Sequence, residues 1–371
     1  MFHLIKWELS HIFRQKSLYI LLFLILLLQI SSLWNAEQLS EEFQEKASQL
    51  KGTISEQELS RATNGTESSG FSPENSIYEN FAYAGIIQSS QDERLLTIEE
   101  KLSARQGKTA ALELEKDMRE EVDVMYWNQH DVPQNIIDFL AVEGFIFLAG
   151  FLLLGLHAMV SRDDAHHVSA YVLSSKYGRN KLATAKLWSA VIYATLILWL
   201  IVLMGWVTEY TRLSYWDKGL EGWEVPFQYF FKFINSPYSY TFLEYHVVQV
   251  MLMWGASLAL SVMFVLLSSV VRSSFVSFIA GGFLFGLPLL FAEMLFNEYG
   301  PNGYPGWLDA IYPFTLPYLL KVDALFQSFR VYEIGSFALT GLGLAVIILV
   351  SCFVLFAGLY KLVMARRHAE V

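Results

Sequence analysis

Six long apolar runs, with one strongly polar insert between the first two, constrain this chain more than any other feature. Leu18 to Leu33, Ile136 to Val160, Leu187 to Thr208, Tyr245 to Val271, Val276 to Phe296 and Ser336 to Tyr360 are overwhelmingly aliphatic or aromatic. At about 1.5 Å of rise per residue, each is long enough, or nearly so, to cross about 30 Å of hydrocarbon as a helix. A barrel would need shorter segments of alternating polarity, whereas these runs are continuous. The expected fold class is an all-α polytopic membrane protein with spans at 18–33, 137–160, 187–208, 245–271, 276–296 and 336–360. Hydrophobic residues make up 54% of the chain and charged ones 17%, too few charges for an ordinary soluble surface. Gln29, Ser31 and Ser32 dilute the outer end of the first span, and Trp34 reads as an interfacial anchor. No small-residue cleavage pattern follows, so this span reads as retained rather than as a removed signal.

Lys and Arg beside membrane spans are kept on the cytoplasmic side. Lys6, Arg14 and Lys16 precede the first span, and Arg162, Lys176, Arg179, Lys181 and Lys186 lie between the second and third. Arg272 sits between the fourth and fifth, and Lys361, Arg366 and Arg367 close the chain. All fall on one side of a six-span weave, which predicts a multi-pass protein of the cell membrane with both termini in the cytosol. Segment 34–136 is then extracellular, and its 20 acidic residues against 9 basic ones carry much of the net charge of −10. Cys352 is the sole cysteine, so this domain is held by packing without a disulfide. An acidic exterior over a short basic interior offers nothing to nucleic acid.

The insert reads as helical. Leu39, Phe43, Leu50 and Ile54, and again Leu112, Met118, Val122 and Met125, recur near helical spacing. Two long helices extending the first and second spans as a hairpin would satisfy this, with a loop from Gly65 to Pro73 and a helix break at Pro133. A spacer or lid and a recognition domain are both open readings of the insert. Gly107, Lys108 and Thr109 imitate the end of a phosphate-binding loop, but Leu102 stands where its leading glycine belongs. Asn64, Gly65 and Thr66 form a glycosylation pattern relevant only to a eukaryotic secretory route.

Residues 1–17 form an amphipathic leader: Phe2, Ile5, Leu9, Ile12 and Phe13 make an apolar stripe, with Lys6, Glu8, Ser10 and Arg14 as polar cover. Such a helix lies along the inner leaflet. Segment 161–186 is the longest cytosolic connection between spans. It opens on Ser161-Arg162-Asp163-Asp164, continues through His166 and His167 to Ala170-Tyr171-Val172-Leu173-Ser174-Ser175-Lys176, turns at Tyr177-Gly178-Arg179, and reaches Lys186-Leu187.

This order resembles the permease subunit of ABC type 2 transporters, and the large first outer loop is similar to a bacterial branch of that family. The resemblance extends over nearly the whole chain: a leader helix, six spans and one cytosolic segment between the second and third. It implies that the segment holds a coupling helix docking on a cytosolic ATP-binding-cassette ATPase. Asp163 and Asp164 match its acidic start, Tyr171 and Leu173 fall in the helix, Lys176 follows it, Gly178 and Arg179 match the turn, and Lys186 the residue before the third span. His166 and His167 depart from the pattern, which has small residues there. The alternative is a segment that rests on anionic headgroups through Lys176, Arg179 and Lys181.

The cytosolic segments contain no phosphate-binding loop, so the chain is not expected to be an enzyme, and ATP and Mg would be used by a separate ATPase. No nucleophile and base pair off on one side of the membrane. The chain is expected to bind no cofactor, and no metal: His166 and His167 are sequence neighbours, which point apart on a helix.

Within the spans Glu143 stands out, because an ionised carboxylate there must face protein or water. Glu293 lies at comparable depth on the fifth span, after Gly281, Gly282, Gly286 and Pro288, which permit close packing and a kink. In the resembling family these two spans border the transport path, so Glu143 and Glu293 are candidates for an outer vestibule. A hydrogen bond to a neighbouring helix for Glu143, and snorkelling for Glu293, are the alternatives. The proline-broken aromatic segment 297–335 predicts re-entrant or interfacial helices, and 209–244 has the same aromatic character. The implied function is export of an amphipathic or apolar substrate such as a lipid, peptide or antibiotic, by two permease copies or this one with a related partner. The competing class is a membrane sensor or scaffold whose outer domain binds a ligand or envelope protein.

Overall fold

The computed structural model describes residues 1–34, 41–65, 73–104, 109–165, 181–271, 273–299, 311–327, 329–334 and 337–369. In hydrocarbon each backbone amide must bond within its own segment, and the apolar runs are accordingly helices. Six are long and apolar enough to cross a membrane: Lys16–Leu33, Asp131–Asp163, Lys181–Arg212, Phe242–Val270, Ser274–Phe291 and Gly341–Arg367. The chain is an all-α multi-pass membrane protein, with only two short antiparallel strand pairs among the described residues.

The leader is helix α1 (Phe2–Phe13), which turns directly into α2 (Lys16–Trp34), the first span. The insert folds as α3 (Glu41–Leu50), α4 (Glu56–Gly65), α5 (Pro73–Ser103) and α6 (Thr109–Glu120). The expected two-helix hairpin does not form. Strand β1 (Gly52–Thr53) pairs with β2 (Tyr126–Trp127), closing the insert on itself, and Ile54 N donates to Met125 O at 2.8 Å. Helix α3 stops before Gly52, whose φ of +140° suits glycine alone, and the return path from 121 to 130 is non-helical, bridged only by β2. The buried Trp127 meets Phe81 of α5 edge to face.

The second span begins at Asp131, so Pro133 does not break a helix; it occupies the first turn of α7 (Asp131–Phe139), where an amide hydrogen has no helical acceptor. A π-helical turn (Leu140–Gly144) and α8 (Phe145–Leu156) complete the crossing, and α9 (Ser161–Ala165) follows a turn. The third span starts at Lys181, which places Lys186 inside it. The sixth starts at Gly341 rather than at 336, because Phe337–Thr340 is strand β4, paired with β3 (Val331–Ile334). Short apolar strands and helix starts share the same composition, which is why the run looked continuous. Before β3 lie the short helices Leu316–Lys321 and Ala324–Gln327.

Spans two, three and four form the packed centre, 56%, 44% and 61% buried, whereas spans one, five and six are 17%, 11% and 11% buried. Close approach at the centre depends on Gly155, where a Cβ would stand 2.6 Å from the Tyr193 ring. Gly281 brings the fifth span against Leu153 in the same way, while Gly286 meets nothing within 4 Å.

At the end that carries the insert, the 213–241 segment fuses insert and bundle. Gly222, with φ of +81°, presses on the Gln129 carbonyl, Tyr229 Oη donates to Val124 O at 3.1 Å, and His130 stacks on Phe242. Trp206 and Trp223 stack at 4.8 Å. Thr241 caps the fourth span reciprocally with Glu244.

Candidate functional site

The opposite end of the bundle, which carries the leader, holds the most tightly built polar cluster of the described residues. Lys186 is 1% exposed, and its Nζ lies 3.1 Å from Glu8 Oε1 and 3.1 Å from Asp163 Oδ2 while donating to Met159 O at 2.6 Å. One buried ammonium therefore holds the leader helix, α9, the turn after the second span and the third span together. Lys186 reaches this position because the third span begins before it, so its stem crosses the packed face rather than solvent.

Glu8 was expected on the polar side of α1, yet it is 1% exposed, while Phe2 is 82% exposed. The face that α1 buries runs through Ile5, Glu8 and Ile12, spaced at i, i+3 and i+7, against the third span. Ser189 Oγ donates to Ile5 O at 3.3 Å, and Gln15 Nε2 to Gly155 O at 3.2 Å. Glu8 Oε1 sits at ion-pair distance from Lys186 without hydrogen-bond alignment, and Oε2 has no hydrogen-bond partner among the described residues. The spacing of Glu8 with the buried Ile12 and the half-buried Ile5 is the signal that reveals it in the sequence, once Lys186 is known to need an anion.

A second set of bonds grips the same turn from the fourth span. Val160 N and Ser161 N donate to Ser268 Oγ at 2.9 and 3.1 Å, and Ser161 Oγ lies 3.0 Å from Ser274 Oγ on the fifth span. Tyr360 of the sixth span, fully buried, donates to Ala183 O at 3.3 Å. Burial, aided by the Arg162 cation, holds His11 below the usual histidine range. The segment that leaves α9 thus starts from a base tied to the third, fourth and fifth spans and, through Lys186, to the leader helix.

Of the residues expected to meet an ATPase, Lys186 is wholly occupied inside the protein, and Asp163 faces it with 18% of its side chain exposed. Asp164 lies in α9. Tyr171, Leu173, Lys176 and Arg179 lie outside the described residues, as do His166 and His167. Glu143 stands on the π-helical turn at an exposed position of the second span, and Gln29 Nε2 of the first span donates to its Oε2 at 3.5 Å. Glu293 belongs to the helix of the fifth span, and its side chain lies outside the described part. Among the described residues no three His, Cys, Asp or Glu side chains gather as metal ligands would.

At the insert end a related cluster forms on Lys232, whose Nζ lies 2.6 Å from Asp138 Oδ1 and 3.0 Å from Asp323 Oδ2. Burial works against the Lys232 charge, but Asp323 and Asp138 outweigh it and hold the ammonium above its usual range. Burial pushes the Asp323 carboxyl up, with Lys232 opposing.

Compared with protein-family models, curated proteins and solved structures, the chain gives no match, so its functional reading stands on its own residues and architecture.

Proposed function

We propose that this chain is the membrane-spanning permease subunit of an ATP-driven exporter of the ABC type 2 kind, with hydrolysis of ATP and its Mg carried by a separate cytosolic ATPase. The observation that carries this reading is the buried Lys186 node, because a transporter without its own motor needs a stiff handle where force enters. Segment 166–180 leaves from α9, and α9 with the turn before it is bound through Asp163, Ser161 and Met159 to the third, fourth and fifth spans, and through Lys186 to Glu8 of the leader. A push on that segment would be delivered to the helices rather than lost in a slack loop.

The basic residues at this end favour a cytosolic side for it, where an ATPase would dock on 163–179. The thinly buried first and fifth spans, with Phe23, Leu27, Phe283 and Leu287 exposed, suit a second copy or a related subunit beside them. Glu143, on an exposed π-turn inside a span and met only by Gln29 among the described residues, would then line the outer vestibule between subunits, since π-turns often mark functional positions and a carboxylate facing lipid is costly. An amphipathic or apolar cargo fits this apolar setting.

Co-purification from native membranes followed by an ATPase assay in lipid tests the reading. A stoichiometric ATPase whose activity depends on residues 163–179 is the expected outcome. Isolation of the chain with no ATPase would instead favour a sensor or scaffold working through the outer domain.

A further inference from the structure

The insert end contains an open polar cavity of about 360 Å³ bordered by three segments distant in sequence. Helices α5 and α6 contribute Glu93, Arg94, Glu115 and Arg119, the 213–241 segment contributes Asn235, and the stretch before β3 contributes Gln327 and Phe329. Its volume lies in the range of sites for small solutes. A polar lining of this kind selects against an apolar ligand.

The charges of the wall are unevenly spent. Glu115 receives Arg94 in a fork, Nε and Nη2 donating at 2.9 and 3.1 Å, and it also accepts Arg119 Nε at 3.0 Å. Arg119, 6% exposed, is further fixed by Gln91 Oε1 and by Asn235 O at 3.2 Å. Two guanidiniums therefore share one carboxylate. Arg94 keeps Nη1 without a partner among the described residues, with 42% of its side chain exposed. Glu93, next to it in the chain and also on the cavity wall, has an exposed carboxylate with no ion pair or hydrogen bond among the described residues. One wall thus offers the free Nη1 edge of a guanidinium, with two guanidiniums to one carboxylate behind it, and a separate unpaired carboxylate, with Thr97 and Gln327 as neutral hydrogen-bonding groups and Phe329 as a single apolar surface.

We infer that this cavity binds a small zwitterionic solute, an amino acid or short peptide, whose carboxylate meets Arg94 Nη1 and whose ammonium meets Glu93. A guanidinium presents paired donors that suit a carboxylate, and the fork to Glu115 holds Arg94 in place before a ligand arrives. Because α5, α6, Asn235 and Gln327 all border the cavity, an occupant would bridge the insert to two outer segments of the bundle. The inference does not depend on the ATPase reading, since it holds for an exporter and for a sensor alike.

Isothermal titration of the full chain in lipid discs tests it with glycine, dialanine, acetate and inorganic phosphate as probes. At least one zwitterion should bind, and Glu93→Gln and Arg94→Gln should each weaken it about tenfold or more, as expected for losing a charged hydrogen bond. Whether glycine or dialanine binds more tightly separates amino acid from peptide. Acetate or phosphate binding as tightly, with Glu93→Gln silent, would show a plain anion site and overturn the inference. So would binding of neither zwitterion, or binding untouched by both substitutions. If Arg94→Gln lowers the melting temperature of the probe-free protein, Glu93→Gln, at an exposed position, decides alone.

Discussion

The two ends of the bundle each place one lysine between two carboxylates from separate segments, and they differ in how far water reaches. At the leader end Lys186 and Glu8 are each 1% exposed and Asp163 18%. At the insert end Lys232 is 20% exposed, Asp138 46% and Asp323 2%. The second span contributes an acid to both, Asp163 at one end and Asp138 at the other. A charge removed from water is held only by its partners, so the leader-end node behaves as a fixed joint. The insert-end node keeps a hydrated member and can exchange partners at lower cost. Stiffness at one end and compliance at the other would suit the proposed role, in which force enters at the leader end.

The largest effect should come from Lys186→Met, which leaves Glu8 and Asp163 facing each other without their cation. A loss of about 3–5 kcal/mol is expected from breaking a buried pair on one side. Thermal unfolding of the purified chain measures it, and adding Glu8→Gln to the same chain should recover part of the loss. A wild-type melting temperature for the single variant would end the distinction between the two ends. Lys232→Met should cost less, about 1–2 kcal/mol, because Asp138 remains hydrated. Equal losses at both lysines would show that exposure is not what separates them.

Acid should act on the insert through Glu115. Burial opposes the Glu115 charge, but Arg94 and Arg119 outweigh it and hold its carboxyl below the ordinary range. A depressed folded value means that this stabilisation is complete above the ordinary carboxylate range and is lost as pH falls through the folded value. Asp323 has the opposite sign: raised by burial, it favours the fold below its ordinary range, and that contribution is lost as pH rises through its folded value. Hydrogen exchange of α5 and α6 during acidification should therefore rise only at pH below the ordinary carboxylate range, and Glu115→Gln should remove that step. The smallest structural effect belongs to Glu143→Gln, within about 0.5 kcal/mol at an exposed position. If the chain is the proposed exporter, export should nonetheless fall with subunit assembly intact, and unchanged transport would remove Glu143 from the path.

The six apolar runs already specify the helices, since backbone hydrogen bonding in hydrocarbon leaves no alternative for Leu18–Leu33 or Leu187–Thr208. Their ends were less legible. Pro133 looks like a breaker unless the helix is known to start two residues before it, and Phe337–Thr340 is apolar enough to pass for the start of a span. Glu8 looks like polar cover because periodicity assigns a charged residue to water, and only the approach of α1 to the third span turns it inward.

What the sequence by itself determined is the membrane class, the number of spans and the acidic insert, because hydrophobic length and charge density are local properties of the chain. Only the tertiary structure decided that Lys186 joins Glu8 to Asp163, that Lys232 joins Asp138 to Asp323, and that Arg94 and Glu93 share a cavity wall with Asn235 and Gln327. Those pairings link residues from 23 to 234 positions apart. The partner of a buried charge is set by which helices pack together, and no local pattern in the chain encodes that choice.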